Sequence, residues 1–259
     1  MDTRRRWKVA LEWIQKNTTL PSAAELGSNL LLALAVFSWS RGASYTADIV
    51  PLFSSSSKGA YLNTFHLDHM INWTRDQYQK KYGPDAACHI FTTVDQFGAI
   101  PTFYGRVSVK KKGPFWNILK ETENRVFLGE VDSICGIINL NQNHWVSVVI
   151  DFQRRQILYG DSFGDPMPRR LHKSFECWVN HLFNRSAKSV GEITVGNLET
   201  GVQEDGVSCG LFALNSIAHH YLADQILPTD SVALNYCQME IGLNILSTMA
   251  VCVYLVCML

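Results

Sequence analysis

The chain contains no Cys-x-x-Cys pair, although it holds seven cysteines at positions 88, 135, 177, 209, 237, 252 and 257. Without that spacing a zinc cage has no scaffold, and an odd, scattered set does not make a secreted disulfide framework. A reducing compartment, nuclear or cytoplasmic, is the expectation, and it keeps a reactive thiol available. Excess charge of either sign is also missing. Lysine plus arginine and aspartate plus glutamate each number 23 in 259 residues, so no nucleic-acid partner is expected. No Gly-x-x-x-x-Gly-Lys loop is present to cradle phosphates. No cofactor and no metal are expected: His66 and His69 can share a helix face, but no further ligands follow at informative spacing, so that face reads as helix surface. A secretory signal is lacking as well, because Arg4-Arg5-Arg6 and Lys8 are separated from the apolar block Leu30 to Phe37 by Glu12, Pro21 and Glu25. The Asn-x-Ser/Thr matches at Asn17, Asn72 and Asn184 are therefore expected to be unused.

What the chain does have is apolar mass. Hydrophobic residues make up 47% and charged residues 18%, ample for a buried core. Trp7, Leu11 and Ile14 recur at helical spacing, and Leu26 to Trp39 forms a second apolar segment. Ser54-Ser55-Ser56-Ser57-Lys58-Gly59 reads as a linker, so residues 1–59 form a helical N-terminal appendage and residues 60–240 the main domain. A helix is expected from Tyr61 through Met70 and Tyr78 to Gly83-Pro84, then an exposed turn at Lys110 to Pro114. Residues 126–161 carry the strand signal, in Val126-Phe127-Leu128, Ile134 to Leu140, Trp145 to Ile150 and Gln156 to Tyr159. Helices follow around Leu171 to Phe183 and from Cys209 to Leu222. Segregated helices and hairpin-connected strands give an α+β class. Residues 241–259 form an apolar tail without charge. It is read first as a buried final helix or strand, second as a mispredicted coding end, and third as a tail anchor, because Asn244, Ser247 and Thr248 dilute the run. A membrane partner is thus not expected, with the anchor kept as the exception.

The chemistry sits in two fragments, Asn143-His144-Trp145 to Gly160-Asp161-Ser162, and Gln203 to Gly210. A hairpin about the Gln153-Arg154-Arg155 turn pairs residues whose numbers add up to about 306–308. His144 then faces roughly position 163 and Asp161 roughly position 146, so both emerge at the open end of the hairpin. A carboxylate there can fix the tautomer of the imidazole and steady its charged form. Read alone, Asp161 is a turn cap and His144 a strand-end surface residue; the matched register favours the pair. Cys209 follows a glycine-bearing loop and opens an apolar helix, where free backbone N–H groups favour a thiolate. Ser208 can cap that helix, and Gly210 removes bulk beside the sulfur. Gln203 can turn its amide toward the sulfur and, with the Cys209 N–H, form a two-donor hole for an oxyanion. The other six cysteines read as small buried hydrophobes.

The order His-Trp, Gly-Asp-Ser, Gln-x-x-Gly-x-x-Cys-Gly resembles the Ulp1/SENP-type ubiquitin-like-protein proteases, which are papain-related cysteine peptidases. The likeness covers roughly residues 60–225. It implies a papain-like fold of the Ulp1 type, with a central, mostly antiparallel sheet flanked by helices. It further implies His144 as base, Asp161 as its orienter, Gln203 as oxyanion donor and Cys209 as nucleophile. Trp145 matches the family's roof over a narrow tunnel for a Gly-Gly tail. Tyr61, with Leu62, stands near the place of the other wall, where a Trp is usual, and Ser208 stands where many members have Asp. The implied partner is a ubiquitin-like modifier, SUMO-like first, together with its conjugates. Two rival readings stay open: an acyltransferase on the same scaffold, and an inactive modifier-binding or mobile-element-derived relative.

Overall fold

The structure, a computed structural model, describes residues 3–17, 25, 28–29, 62–83, 89–105, 112–185, 193–224, 226–227, 234–235 and 237–243. The linker at 54–59, Tyr61 and the tail from 244 onward therefore lie outside the described residues, as does most of the Leu26 to Trp39 segment. Two compact units result. One comprises Met1–Met70, Gln203–Leu211 and Leu227–Leu259; the other comprises Ile71–Val202 and Phe212–Ile226.

In the first unit, helix α1 (Thr3–Asn17) buries Ala10 and Ile14, one turn apart on a single face. Helix α2 (Thr64–Tyr82) begins there, and its start is set by a reciprocal cap. Asn63 Oδ1 accepts from the His66 N–H, while the Asn63 N–H donates to His66 Nδ1. His66 is buried in consequence, not on the helix surface that the sequence suggested.

The second unit holds a five-stranded sheet in the order β1-β2-β3-β4-β5. Its strands are β1 (His89–Phe91), β2 (Ser133–Leu140), β3 (His144–Asp151), β4 (Gln156–Gly160) and β5 (Thr194–Asn197). The two central pairings are antiparallel and the two outer ones parallel, so the sheet is mixed around an antiparallel centre. β3 is buried on both faces, with Val146, Val148, Val149 and Ile150 all inaccessible, as an unbroken apolar run in a central strand requires.

Helices α3 (Val94–Tyr104), α4 (Pro114–Leu128) and α5 (Arg169–Arg185) also lie in this unit. The core joins Phe97 and Ile100 of α3, Phe175 and Trp178 of α5, and the apolar strand residues. Thr93 and Gln96 form a capping box that starts α3. The expected strand at Val126-Phe127-Leu128 is instead the last turn of α4. Gly129, at φ 75°, adopts the left-handed conformation that ends a helix, and the N–H groups of Gly129 and Glu130 close back onto Val126 and Arg125. Helix α6 (Cys209–Leu222) starts where the sequence placed it, near Cys209. Among the described residues, no helix is long and apolar enough to cross a membrane.

One buried charge ties three helices together. Glu123 of α4 accepts from Tyr104 Oη at 2.6 Å and from Trp178 Nε1 at 3.1 Å, and it pairs with Lys120. Burial pushes its carboxyl up, but the hydrogen bonds from Lys120, Tyr104 and Trp178 outweigh this and hold it below the ordinary value. A depressed carboxyl contributes stability above its ordinary pKa, and that contribution is lost as pH falls through the folded value. Glu123→Ala removes the acceptor of the buried Trp178 indole N–H and of the Tyr104 hydroxyl, so a loss of about 3 kcal/mol in urea unfolding at neutral pH is expected, and the part of it that belongs to the ionised carboxylate fades as pH falls below the ordinary carboxyl value.

Candidate active site

The β3–β4 hairpin pairs Asp151 with Gln156 and Ser147 with Gly160, turning through residues 152–155. Arg154 closes the turn with its N–H on Asp151 Oδ1 at 2.8 Å. Partner numbers add up to 307 along the ladder, within the expected range. The same register carried past the last rung puts position 161 opposite 146 and position 163 opposite 144. Directly opposed residues share a face, and so do residues two apart on one strand. His144, Val146, Asp161 and Tyr159 therefore fall on one face.

That placement is realised in contacts. His144 Nε2 lies 2.8 Å from Asp161 Oδ1. A carboxylate only accepts, so Nε2 carries the hydrogen and Nδ1 keeps the lone pair that takes a proton. The Phe163 ring stacks on the imidazole, with centroids 4.8 Å apart and planes at 24°. Asp161 accepts two further bonds, from the Phe163 N–H at 2.9 Å and from Tyr159 Oη at 3.0 Å. Its side chain is 3% exposed and that of His144 is 16% exposed, so the carboxylate is sealed and the imidazole is not. Burial, reinforced by the nearby Asp161 charge, pushes the Tyr159 hydroxyl far up, which keeps it a donor. Gly160 precedes Asp161 because a Cβ there would collide with the hydroxyls of Thr200, Ser147 and Ser216.

Sequence reasoning passed over Tyr159, although it lies two residues before Asp161 on the same strand face. Trp145 follows His144 and is buried at 7% exposure.

The second fragment belongs to the other unit. Cys209 is the first residue of α6, where backbone N–H groups lack intrahelical partners and the dipole favours an anion. The residue is 1% exposed. Gln203 Nε2 lies 2.9 Å from the Asp205 carbonyl oxygen and 3.1 Å from Asp205 Oδ1. The Ser208 hydroxyl donates to Asp205 Oδ2 rather than capping the helix as the sequence suggested. A Cβ on Gly210 would meet Leu62 Cβ at 3.0 Å, a tight contact that Leu62 would have to relieve by a few tenths of an ångström. No disulfide involves Cys135, Cys177, Cys209 or Cys237. Burial pushes the Cys135 thiol far up and the Cys237 thiol to about 12. Cys177, by contrast, is exposed on α5, against the expectation that every other cysteine is buried.

A family model described as the Ulp1 protease family, C-terminal catalytic domain, matches residues 60–239. No curated protein sequence is similar enough to count as a match. Among solved structures, the C-terminal Ulp1 protease domain in complex with Smt3, the yeast ortholog of SUMO, is 18% identical with a TM-score of 0.54. That alignment covers 78% of this chain and 81% of the other. The Ulp1-like SUMO protease catalytic domain of Chaetomium thermophilum is 18% identical over 73% of each chain, with a TM-score of 0.57. A SUMO protease Ulp1 whose catalytic cysteine is oxidised to a sulfenic acid is 19% identical, with a TM-score of 0.58. It is aligned over 86% of this chain and 94% of its own. At these identities the likeness shows a common fold.

The assigned tautomer has a direct readout. Long-range proton–nitrogen NMR of His144 is expected to show Nε2 protonated and Nδ1 bare when the ring is neutral. Asp161→Ala is expected to mix the two tautomers, and a protonated Nδ1 in the unaltered protein would contradict the assignment.

Proposed function

This chain belongs to the Ulp1 protease family of cysteine peptidases, and from that premise we propose that it cleaves after the C-terminal Gly-Gly of a ubiquitin-like modifier. Cys209 is the nucleophile, His144 the base, Asp161 its orienter and Gln203 an oxyanion donor. Trp145 roofs the passage for the Gly-Gly tail and Gly210 leaves room beside the sulfur, with Tyr61 assigned to the other wall on the family resemblance alone. A passage between flat aromatic walls selects glycine because larger side chains do not fit between them. A SUMO-like modifier is the favoured substrate, and the support is the partner of the yeast Ulp1 domain, Smt3. The nucleus or cytoplasm is the proposed location, since a reducing compartment keeps Cys209 a thiol.

The observation that carries the reading is the 2.8 Å contact from His144 Nε2 to Asp161, which leaves Nδ1 to accept a proton. In the first step Nδ1 takes the Cys209 proton, and the sulfur attacks the carbonyl carbon of the terminal glycine. Negative charge then builds on the carbonyl oxygen, where the Gln203 amide and the Cys209 N–H stabilise it. Collapse breaks the C–N bond, and the imidazolium returns its proton to the departing amine. The resulting thioester is hydrolysed by a water that His144 deprotonates, restoring the thiol and freeing the modifier's carboxylate.

A modifier ending in a Gly-Gly electrophile is expected to form one adduct, at Cys209, and none with Cys209→Ser. An adduct persisting in that variant, mapped to exposed Cys177 or another cysteine, would remove the nucleophile assignment. His144→Ala is expected to lower kcat/KM on the order of 10²–10⁴-fold. Running a panel of ubiquitin-like modifiers in the same assay identifies the substrate.

A further inference from the structure

Five hydrogen bonds converge on Asp205, four residues before Cys209 and two after Gln203. Oδ1 accepts from the backbone N–H groups of Val207 and Ser208, each at 2.8 Å, and from Gln203 Nε2 at 3.1 Å. Oδ2 accepts from the Ser208 hydroxyl at 2.5 Å. The Asp205 carbonyl oxygen accepts from the same Gln203 nitrogen at 2.9 Å. The two backbone bonds are what an aspartate commonly makes to the residues after it in a turn. The other three exceed what a turn needs. They join the side chain of Gln203 to the residue that immediately precedes the nucleophile candidate.

We propose that Asp205 is the positioning residue of the nucleophile loop, holding the Gln203 amide and the first turn of the Cys209 helix in one fixed relation. This rests on the peptidase reading above, because Gln203 needs a set position only if an oxyanion forms beside it. An amide nitrogen carries two hydrogens, and a single shared N–H can serve two acceptors on one residue. The two contacts to Asp205 fix the plane of that amide, and with it the directions in which its nitrogen donates. Without the carboxylate the glutamine side chain regains its rotamers, and its ordering has to be supplied in each turnover.

The charge itself is well accommodated. Burial pushes the Asp205 carboxyl up, but the Ser208 hydroxyl, the N–H groups of Val207 and Ser208, and the Gln203 amide outweigh this and hold it below the ordinary value. An ionised carboxylate so close to a developing oxyanion would oppose it if left bare. Four donors spread that charge, so the group can position without repelling. Geometry, rather than charge, is the contribution assigned to it, and the two are separable by substitution.

The experiment compares Asp205→Ala, Asp205→Asn, Ser208→Ala and Gln203→Ala in the full chain. The substrate is a SUMO-like modifier with a fluorogenic amide on its terminal glycine. In parallel, iodoacetamide alkylation of Cys209 is followed by mass spectrometry, with the exposed Cys177 counted separately. Alkylation is a displacement at a saturated carbon and forms no oxyanion, so it reports on the thiol alone.

Asp205→Ala is expected to lower kcat about 10–100-fold with KM within about twofold, and to slow alkylation by less than about threefold. Asp205→Asn is expected to recover activity to within about threefold of the unaltered protein, because its amide oxygen still accepts from Gln203, Val207 and Ser208 while its NH₂ donates to the Ser208 hydroxyl. The double variant lacking both Asp205 and Gln203 side chains should be no slower than about twice the worse single, as residues acting as one unit are not additive.

Unchanged kcat in a folded Asp205→Ala would overturn the inference. So would a loss shared equally by Asp205→Asn, or one matched by equal loss of alkylation. Should Asp205→Ala not fold, Asp205→Asn and Ser208→Ala decide. A drop of about two- to fivefold in Ser208→Ala with near-complete activity in Asp205→Asn supports the role, and the reverse order overturns it. A folded, unaltered protein that turns over no Gly-Gly amide removes the peptidase reading and this inference together. Turnover insensitive to Asp205 removes this inference alone.

Discussion

The antiparallel register of β3 on β4 governs where His144 and Asp161 stand. Partner numbers add up to 307 at every rung from Asp151–Gln156 to Ser147–Gly160, and that parity brings Tyr159, Asp161 and His144 onto one face. A slip of one residue would send Asp161 to the opposite face and leave His144 facing a residue of wrong chemistry. Two features resist the slip. Val148, Val149 and Ile150 are buried on a strand covered on both sides, so any shift would expose apolar surface or bury polar groups. At the turn, Asp151 holds the Arg154 N–H and its guanidinium, which fixes the loop length. The placement of His144 against Asp161 is thus a consequence of core packing some residues away.

Within that frame the carboxylate is over-determined and the imidazole is not. Asp161 takes hydrogen bonds from His144, Tyr159 and the Phe163 N–H, and its side chain is sealed. His144 has one strong polar contact and one ring stack, from Phe163. A fixed acceptor beneath a ring that stays accessible above is the division expected of an orienting group and a base. The loop before Cys209 is built in the same manner, with Asp205 as the saturated acceptor and Gln203 as the group it steadies.

Patterns of period and spacing made much of this legible before any coordinates. The hairpin register, the start of α6 and the pairing of His144 with Asp161 follow from strand parity and from apolar stripes, which are local properties. Other features are not local. Val126-Phe127-Leu128 has three apolar residues, too few to separate strand from helix, and the left-handed Gly129 that ends the helix is visible only in φ. β1 and β5 are three and four residues long and pair in parallel with distant segments, so no turn or alternation announces them. His66 looks like a surface residue until Asn63 is seen to cap against it. Asp205 was passed over for a related reason: a carboxylate in a polar loop has no periodicity, and only its hydrogen bonds single it out.

Burial alone does not separate the cysteines. Cys135 and Cys209 are both inaccessible, whereas Cys177 is exposed and would be favoured by accessibility. What distinguishes Cys209 is the field at its position. Cys135 sits within a strand, where neighbouring peptide dipoles nearly cancel and desolvation pushes the thiol far up. Cys209 stands at the first residue of a fourteen-residue helix, where the peptide dipoles add and N–H groups point outward. Cys177 lies well inside α5, with its neighbours' N–H groups already engaged in the helix, so exposure gives it contact with solvent but no donor array. The setting that favours a thiolate is therefore set by where in its helix a thiol stands, not by how exposed it is.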